Sequence, residues 1–244
     1  MSFPTISIVG LGYIGLPTAA VIASRKKTVI GVDINQNTVD TVNAGKVHIA
    51  EPGLEVMVAR AVQRGFLRAV TSPEPADAFL IAVPTPFYER SPEDSAPKPD
   101  ISYIEAASRA VAKVLKKGDL VILESTSPVG TTEQMSVWLA QERDDLTFPQ
   151  TQGSRSDIRV AYCPERVLPG NVVNELVQND RVIGGMTESC SKAAIEVYSS
   201  FVEGTCVTTN ARTAEMTKLT ENASRDVGIA FANELSIICD DLIL

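Results

Sequence analysis

The residues Thr5-Ile6-Ser7-Ile8-Val9 run directly into Gly10-Leu11-Gly12-Tyr13-Ile14-Gly15 and then into a helix-compatible stretch over 16–25. A short apolar run rich in β-branched residues reads as a buried strand. The order is therefore strand, glycine turn, helix, and few folds accommodate it. Gly10 allows the tight turn, Gly12 lets a diphosphate approach bare main chain, and Gly15 lets the helix pack close to the strand. The first N–H groups of that helix and its dipole then face the phosphates.

A second strand pattern, Thr28-Val29-Ile30-Gly31-Val32, ends in Asp33. That carboxylate follows the turn by about twenty residues, the place where a dinucleotide site carries the acid that accepts the ribose hydroxyls. It would repel a 2′-phosphate, so the expected cofactor is NAD rather than NADP. The competing reading is a glycine turn needed only for strand–helix packing, with Asp33 merely closing a strand.

The pattern continues as strands alternating with helices. Residues 37–44 and 52–64 read as helices closed by Gly45 and Gly65, residues 66–71 as a short strand, and 78–83 as a buried strand bounded by Pro84-Thr85-Pro86. Thr85 thus stands either at the ligand edge of the sheet or simply in a turn between prolines. Residues 87–100 read as a flexible polar loop and 101–117 as an amphipathic helix with Lys116 and Lys117 at its negative end. Residues 120–124 read as a strand leading to Ser125 and Thr126, again at a strand's C-terminal end, before a helix opening at Thr131. A polar loop is expected over 150–156, strands over 159–163, 180–184 and 205–208, and a helix over 189–201. This alternation means an α/β fold with a doubly wound, mostly parallel, Rossmann-like sheet.

From Ala211 onward no proline interrupts a helical pattern, which at 1.5 Å per residue would reach about 50 Å. The expected division is a dinucleotide-binding domain over 1–210 and the start of a connecting or dimerisation helix over 211–244. Ala230, Phe231, Leu235 and Ile238 give that helix an apolar face, which predicts a homodimer. Lys218, Asn222 and Arg225 are spaced to share one face. They suit a sugar nucleotide, with cations for phosphates or developing negative charge and an amide for hydroxyls; an ordinary solvated stripe with Glu221 as a salt-bridge neighbour has the same spacing.

A net charge of −8 argues against a general affinity for nucleic acid or anionic membrane. No apolar run is long enough to cross a bilayer, and the first strand leaves no room for a signal peptide, so a cytoplasmic protein is expected. Of the four cysteines none lies in a CxxC pair, and His48 is the single histidine; no metal site is expected, and His48 reads as a loop or packing residue.

Five stretches together resemble the UDP-sugar 6-dehydrogenases of the UDP-glucose/GDP-mannose dehydrogenase family. They are G-L-G-Y-I-G-L-P at 10–17, V-P-T-P at 83–86, S-T-S-P-V-G at 125–130, C-P-E-R-V-L-P-G at 163–170 and K-L-T-E-N at 218–222. The fourth resembles the N-acetylhexosamine branch. The resemblance implies oxidation of a UDP-sugar's C6 alcohol to a carboxylate with two NAD, by way of a cysteine thioester. It implies cofactor contacts from Tyr13, Ile14, Asp33, Thr85 and Thr126, and substrate contacts from Arg166, Val167, Lys218, Asn222 and Arg225. Lys218 matches a catalytic lysine serving proton transfer and oxyanion stabilisation, and Glu165 an acid linked to the water that hydrolyses the thioester. The family's G-G-H-C nucleophile motif and C-terminal sugar-nucleotide domain are not found in these residues, so the chain is expected to supply the NAD-binding part and to be inactive alone. Cys163 is the nearest stand-in for the nucleophile, though a small buried hydrophobe is the default role of a cysteine.

Overall fold

Apolar runs that alternate between two cores line up as one sheet in the computed structural model, which describes residues 3–89 and 96–243. The first half consists of β1 (Thr5–Val9), α1 (Gly15–Ser24), β2 (Thr28–Val32), α2 (Gln36–Asn43), α3 (Leu54–Gln63) and β3 (Leu67–Val70). Next come β4 (Ala78–Ile81), α4 (Ser102–Ala112), β5 (Leu120–Leu123), α5 (Thr131–Gln141), α6 (Pro149–Gln152) and β6 (Arg159–Tyr162). The chain closes with α7 (Val172–Gln178), β7 (Arg181–Gly185), α8 (Glu188–Tyr198), β8 (Cys206–Asn210) and α9 (Ala211–Leu242).

The strand order is β3-β2-β1-β4-β5-β6-β7-β8. Pairing is parallel from β3 through β6, antiparallel between β6 and β7, and parallel between β7 and β8. The winding reverses between β1 and β4, which opens a crevice at the carboxyl ends of those strands. Side chains follow the two-residue period of a strand: Ile6, Ile8, Leu80 and Ile122 enter the core under α1, α3 and α8, whereas Val9, Phe79, Ile81 and Leu123 enter the core under α4 and α5.

The strand, glycine turn and helix at the start stand where the sequence places them. Several other expectations change. The helix expected over 101–117 stops at Ala112, because the Lys116 ammonium is drawn to the Ala76 carbonyl at 2.6 Å and the Asp119 carboxylate at 2.7 Å instead of capping a continuing helix. The loop expected over 150–156 is α6 followed by a turn of 3-10 helix, with Pro149 fixing the first helical position. Helix α7 is an addition to the sequence reading. In the loop over 87–100, residues 90–95 lie outside the described residues, while its ends pair as an antiparallel bridge between Phe87 and Pro99.

Helix α9 has 32 residues, about 48 Å at 1.5 Å each. Asn210 caps it, its side chain accepting the Thr213 amide at 2.9 Å. Its root lies on β7 at Gly184, where a Cβ would come within 2.5 Å of the Asn210 carbonyl oxygen and 2.7 Å of the Ala214 Cβ. Within the helix only Ala211, Ala214 and Glu215 are buried. Beyond the root, Phe231, Leu235 and Ile238 are all exposed.

Candidate functional site

The glycine turn has the build of a phosphate cradle. Gly10 sits at φ +95°, and a Cβ there would meet the Ala82 carbonyl oxygen at 2.5 Å. Gly12 differs, because a Cβ there would meet nothing within 4 Å. The protein's own packing does not require that glycine, and the bare space beside it is what a diphosphate needs. Among the described residues the main-chain amides of Tyr13 and Ile14, at the entry to α1, have no hydrogen-bond partner. Asp33 braces the same turn: its Oδ2 accepts the Leu11 amide at 3.1 Å and its Oδ1 the Asn35 amide at 2.9 Å. Each oxygen keeps a lone pair for a ribose hydroxyl. The residues present therefore fit a dinucleotide.

The carboxyl ends of β1, β4, β5 and β6 meet around a cleft of about 230 Å³. Ile14, Thr85, Thr126, Glu165, Val167 and Lys218 line it, with Glu124 also present. Lys218 comes from α9, and its Nζ donates to the Glu165 main-chain oxygen at 2.6 Å. Burial holds the Lys218 ammonium below its ordinary value, against the opposing pull of Glu165 and Glu221. A second, open groove of about 860 Å³ shares Val167 and Lys218 with the cleft and adds Arg166, Arg212, Glu221 and Arg225. Arg166 is gripped by the Glu221 carboxylate through Nε at 2.8 Å and through Nη2. Glu221 thus joins two elements and is more than a neighbour on one helix stripe. Asn222 is exposed and lines neither space, and Tyr13 is also exposed. His48 is exposed and lies outside both spaces. Cys163 is buried, and that burial pushes its thiol far up, away from a reactive thiolate.

The cleft residues Glu124 and Glu165 belong to a buried charged cluster whose other members, Arg181 and Tyr198, sequence reasoning did not single out. Arg181 is fully buried and pairs with Glu165; its Nη2 donates to the Leu176 carbonyl at 2.7 Å. The Tyr198 hydroxyl donates to Glu124 Oε1 at 2.6 Å, while Glu124 Oε2 is buried with no partner. The one signal was an acid or a base placed at the end of an otherwise apolar strand. Burial pushes the Glu124 carboxyl up to about 7, and the nearby Glu165 adds to this, while Tyr198 and Arg181 act the other way.

Against an ordinary value of 4.5, native Glu124 keeps its proton where the unfolded chain has lost it. The native state then binds more protons between those values, so stability falls as pH rises from about 4.5 to about 7 and levels off above. The whole interval is worth on the order of 3 kcal/mol at most. Glu124→Gln should flatten this slope, with urea unfolding from pH 5 to pH 8 as the check; the same slope in variant and parent would refute it.

Comparison with known proteins places the chain in a family. The NAD binding domain of the UDP-glucose/GDP-mannose dehydrogenase family matches residues 4–202, and the central domain of that family matches 212–243. The NDP-N-acetyl-D-galactosaminuronic acid dehydrogenase of Ralstonia nicotianae is 66% identical over 242 residues, which cover 99% of this chain and 56% of that protein. The UDP-N-acetyl-D-mannosamine dehydrogenase of Campylobacter jejuni is 65% identical over 240 residues, 98% of this chain and 58% of its own length. The native structure of the UDP-N-acetyl-mannosamine dehydrogenase of Staphylococcus aureus superposes with a TM-score of 0.85 at 44% identity, covering 98% of this chain and 55% of that one. The chain spans a little over half the length of these relatives. With 4–202 matched as the NAD binding domain, the chain belongs to the UDP-glucose/GDP-mannose dehydrogenase family.

Proposed function

We propose that this chain provides the NAD-binding half of a dehydrogenase that oxidises UDP-N-acetyl-D-mannosamine at C6 to the uronate, in the synthesis of bacterial surface polysaccharide precursors. The observation that carries this reading is one cleft lined together by Ile14, Thr85, Thr126, Glu165, Val167 and Lys218. In this reading residues 1–210 form the NAD-binding domain and 211–244 begin the connecting helix. Bound NAD would supply the hydride acceptor for each of two oxidations, alcohol to aldehyde and aldehyde level to acid.

The chain's own groups have distinct tasks. Gly10, Gly12 and Gly15, with the amides of Tyr13 and Ile14, hold the diphosphate, and Asp33 holds the adenosine ribose. Thr85 and Thr126 position the cofactor's reactive end. Lys218, kept easy to deprotonate by burial, takes the proton released from the substrate hydroxyl and, when charged, stabilises the oxyanion. The Glu165 carboxylate is anchored by Arg181 and by the Arg166 amide at 2.6 Å, which fixes it beside the water of the hydrolytic step. Arg166, Val167, Asn222 and Arg225 receive the sugar nucleotide in the wider groove. The nucleophilic cysteine of the thioester stage lies outside these residues, so the chain alone binds NAD without turnover.

The exposed Phe231, Leu235 and Ile238 support a homodimer through α9. No described helix is long and apolar enough to cross a membrane. Four unpaired cysteines support a reducing, cytoplasmic setting.

Titration calorimetry with NAD tests the first part. Gly12→Val should fold as stably as the parent, since its Cβ meets open space, yet lower NAD affinity by about tenfold or more. Unchanged affinity would remove the diphosphate from this turn. For the substrate, the full-length enzyme should form two NADH per UDP-N-acetyl-D-mannosamine; a preference for UDP-N-acetylglucosamine or UDP-glucose would reassign it.

A further inference from the structure

Glu215 is fully buried near the root of α9, and its carboxylate is used entirely on a distant turn. Oε2 accepts the Gly130 amide at 2.6 Å, and Oε1 accepts both the Thr132 amide at 2.8 Å and the Thr132 hydroxyl at 2.6 Å. These donors open α5, whose N-cap is Gly130 and has no side chain to satisfy them. A buried anion at a helix N-terminus is favoured both by those orphan amides and by the helix dipole. The cap thus arrives from a residue more than eighty positions along the chain. Arg212, on the same helix, adds a more exposed pair with Glu133 of α5 at 3.0 Å.

The two segments joined in this way each carry a cleft residue. Thr126 precedes the capped turn, and Lys218 stands one helical turn beyond Glu215, reaching the Glu165 carbonyl. Ala214 lies directly on Gly184, so the contact with β7 sets the height of the helix over the sheet. Where Ala214 meets Gly184 the contact is between small groups, which resist rotation about the helix axis weakly. The three hydrogen bonds of Glu215 are directional, and they oppose that rotation beside the more exposed Arg212–Glu133 and Arg166–Glu221 pairs.

We propose that Glu215 is a positioning residue that sets the register of α9 against the 126–132 turn, so that Lys218 and Thr126 are both brought to the one cleft they line. This rests on the reading of that cleft as the cofactor and substrate site. Glutamine at 215 would present an amide donor to donors of the turn, and valine at 132 would remove only the hydroxyl bond.

The test uses the 244-residue chain. Its lysines are reductively methylated with carbon-13, and the Lys218 signal, assigned with Lys218→Arg, is followed by NMR through its titration. NAD affinity is measured beside it by calorimetry. Glu215→Gln, confirmed as folded by circular dichroism, should move the Lys218 titration up toward its ordinary 10.5 as the ammonium gains water. It should also weaken NAD binding about tenfold. Thr132→Val should shift both in the same directions by less. An unmoved Lys218 titration in folded Glu215→Gln overturns the proposal, and unchanged NAD affinity overturns its Thr126 half. If Glu215→Gln fails to fold, Thr132→Val decides by the same criteria. If the parent chain takes up no NAD, the reading of the cleft fails, while the Lys218 titration still decides the role of Glu215.

Discussion

Gly15→Ala should cost at least about 3 kcal/mol of stability, the upper range for forcing atoms into a packed interior. A Cβ at 15 would lie 1.7 Å from the Gly10 carbonyl oxygen and 3.3 Å from Ile8 Cγ2. The first of these is main chain and cannot swing aside. Gly10 is itself fixed, because its amide donates to the Val32 carbonyl at 2.8 Å and its own missing side chain leaves room for Ala82. Relief must therefore come from displacing the start of α1, which would move the phosphate-facing amides with it. Chemical denaturation should show a lowered midpoint, and calorimetry should show no NAD uptake. A variant with parental stability would mean that the turn is softer than its contacts indicate. The contrast with Gly12 is informative: the two glycines are three apart, yet the protein's own packing requires one and leaves the other open.

Arg181→Met should destabilise the chain by about 3–5 kcal/mol, the range for removing one partner of a buried ion pair. Arg181 and Glu165 are both buried, so the deletion leaves the Glu165 carboxylate without its cation in a site that also holds Glu124. The Arg181 guanidinium lies 5.8 Å from the centre of the Tyr198 ring, and that contact is lost as well. Adding Glu165→Gln to Arg181→Met should recover a large part of the loss, since the orphaned charge then disappears. Urea unfolding of the single and double variants measures the recovery. If the double variant is no more stable than Arg181→Met, the charge is not the cause.

Legibility in the sequence followed the range of the interactions. The opening strand, Gly10, Gly12, Gly15 and Asp33 could be read because a strand, a turn and a helix leave a local signature, and the acid follows at a set distance. Strands β4 and β5 were legible as short continuous apolar runs, buried at every position. Arg181 was not. Its partner Glu165 is brought opposite by β7 running antiparallel to β6, and a five-residue apolar run carries no mark of its direction. Helix α7 escaped because seven residues with Val172 and Leu176 buried hold too little periodicity to stand out. Lys116 illustrates the reverse error: a cation at the end of an amphipathic pattern suggested a helix terminus, while it is held by Asp119 three residues on and by the distant Ala76 carbonyl and Asp77 carboxylate. Of the site, the motifs located Thr85, Thr126, Glu165 and Lys218, but no pattern in the sequence showed that the Glu215 carboxylate joins the segments bearing two of them.

Among the described residues helix α9 is held through its first three turns, by Glu215, Lys218 and Glu221, and is largely exposed beyond them. Such a rod acts as a lever. A tilt of about one degree at the root moves its far end by about 0.8 Å over the roughly 48 Å of its length. Sub-ångström adjustments at the held end thus reach residues far along the helix amplified, and the stiffness of a few hydrogen bonds near the fulcrum sets how faithfully they are transmitted.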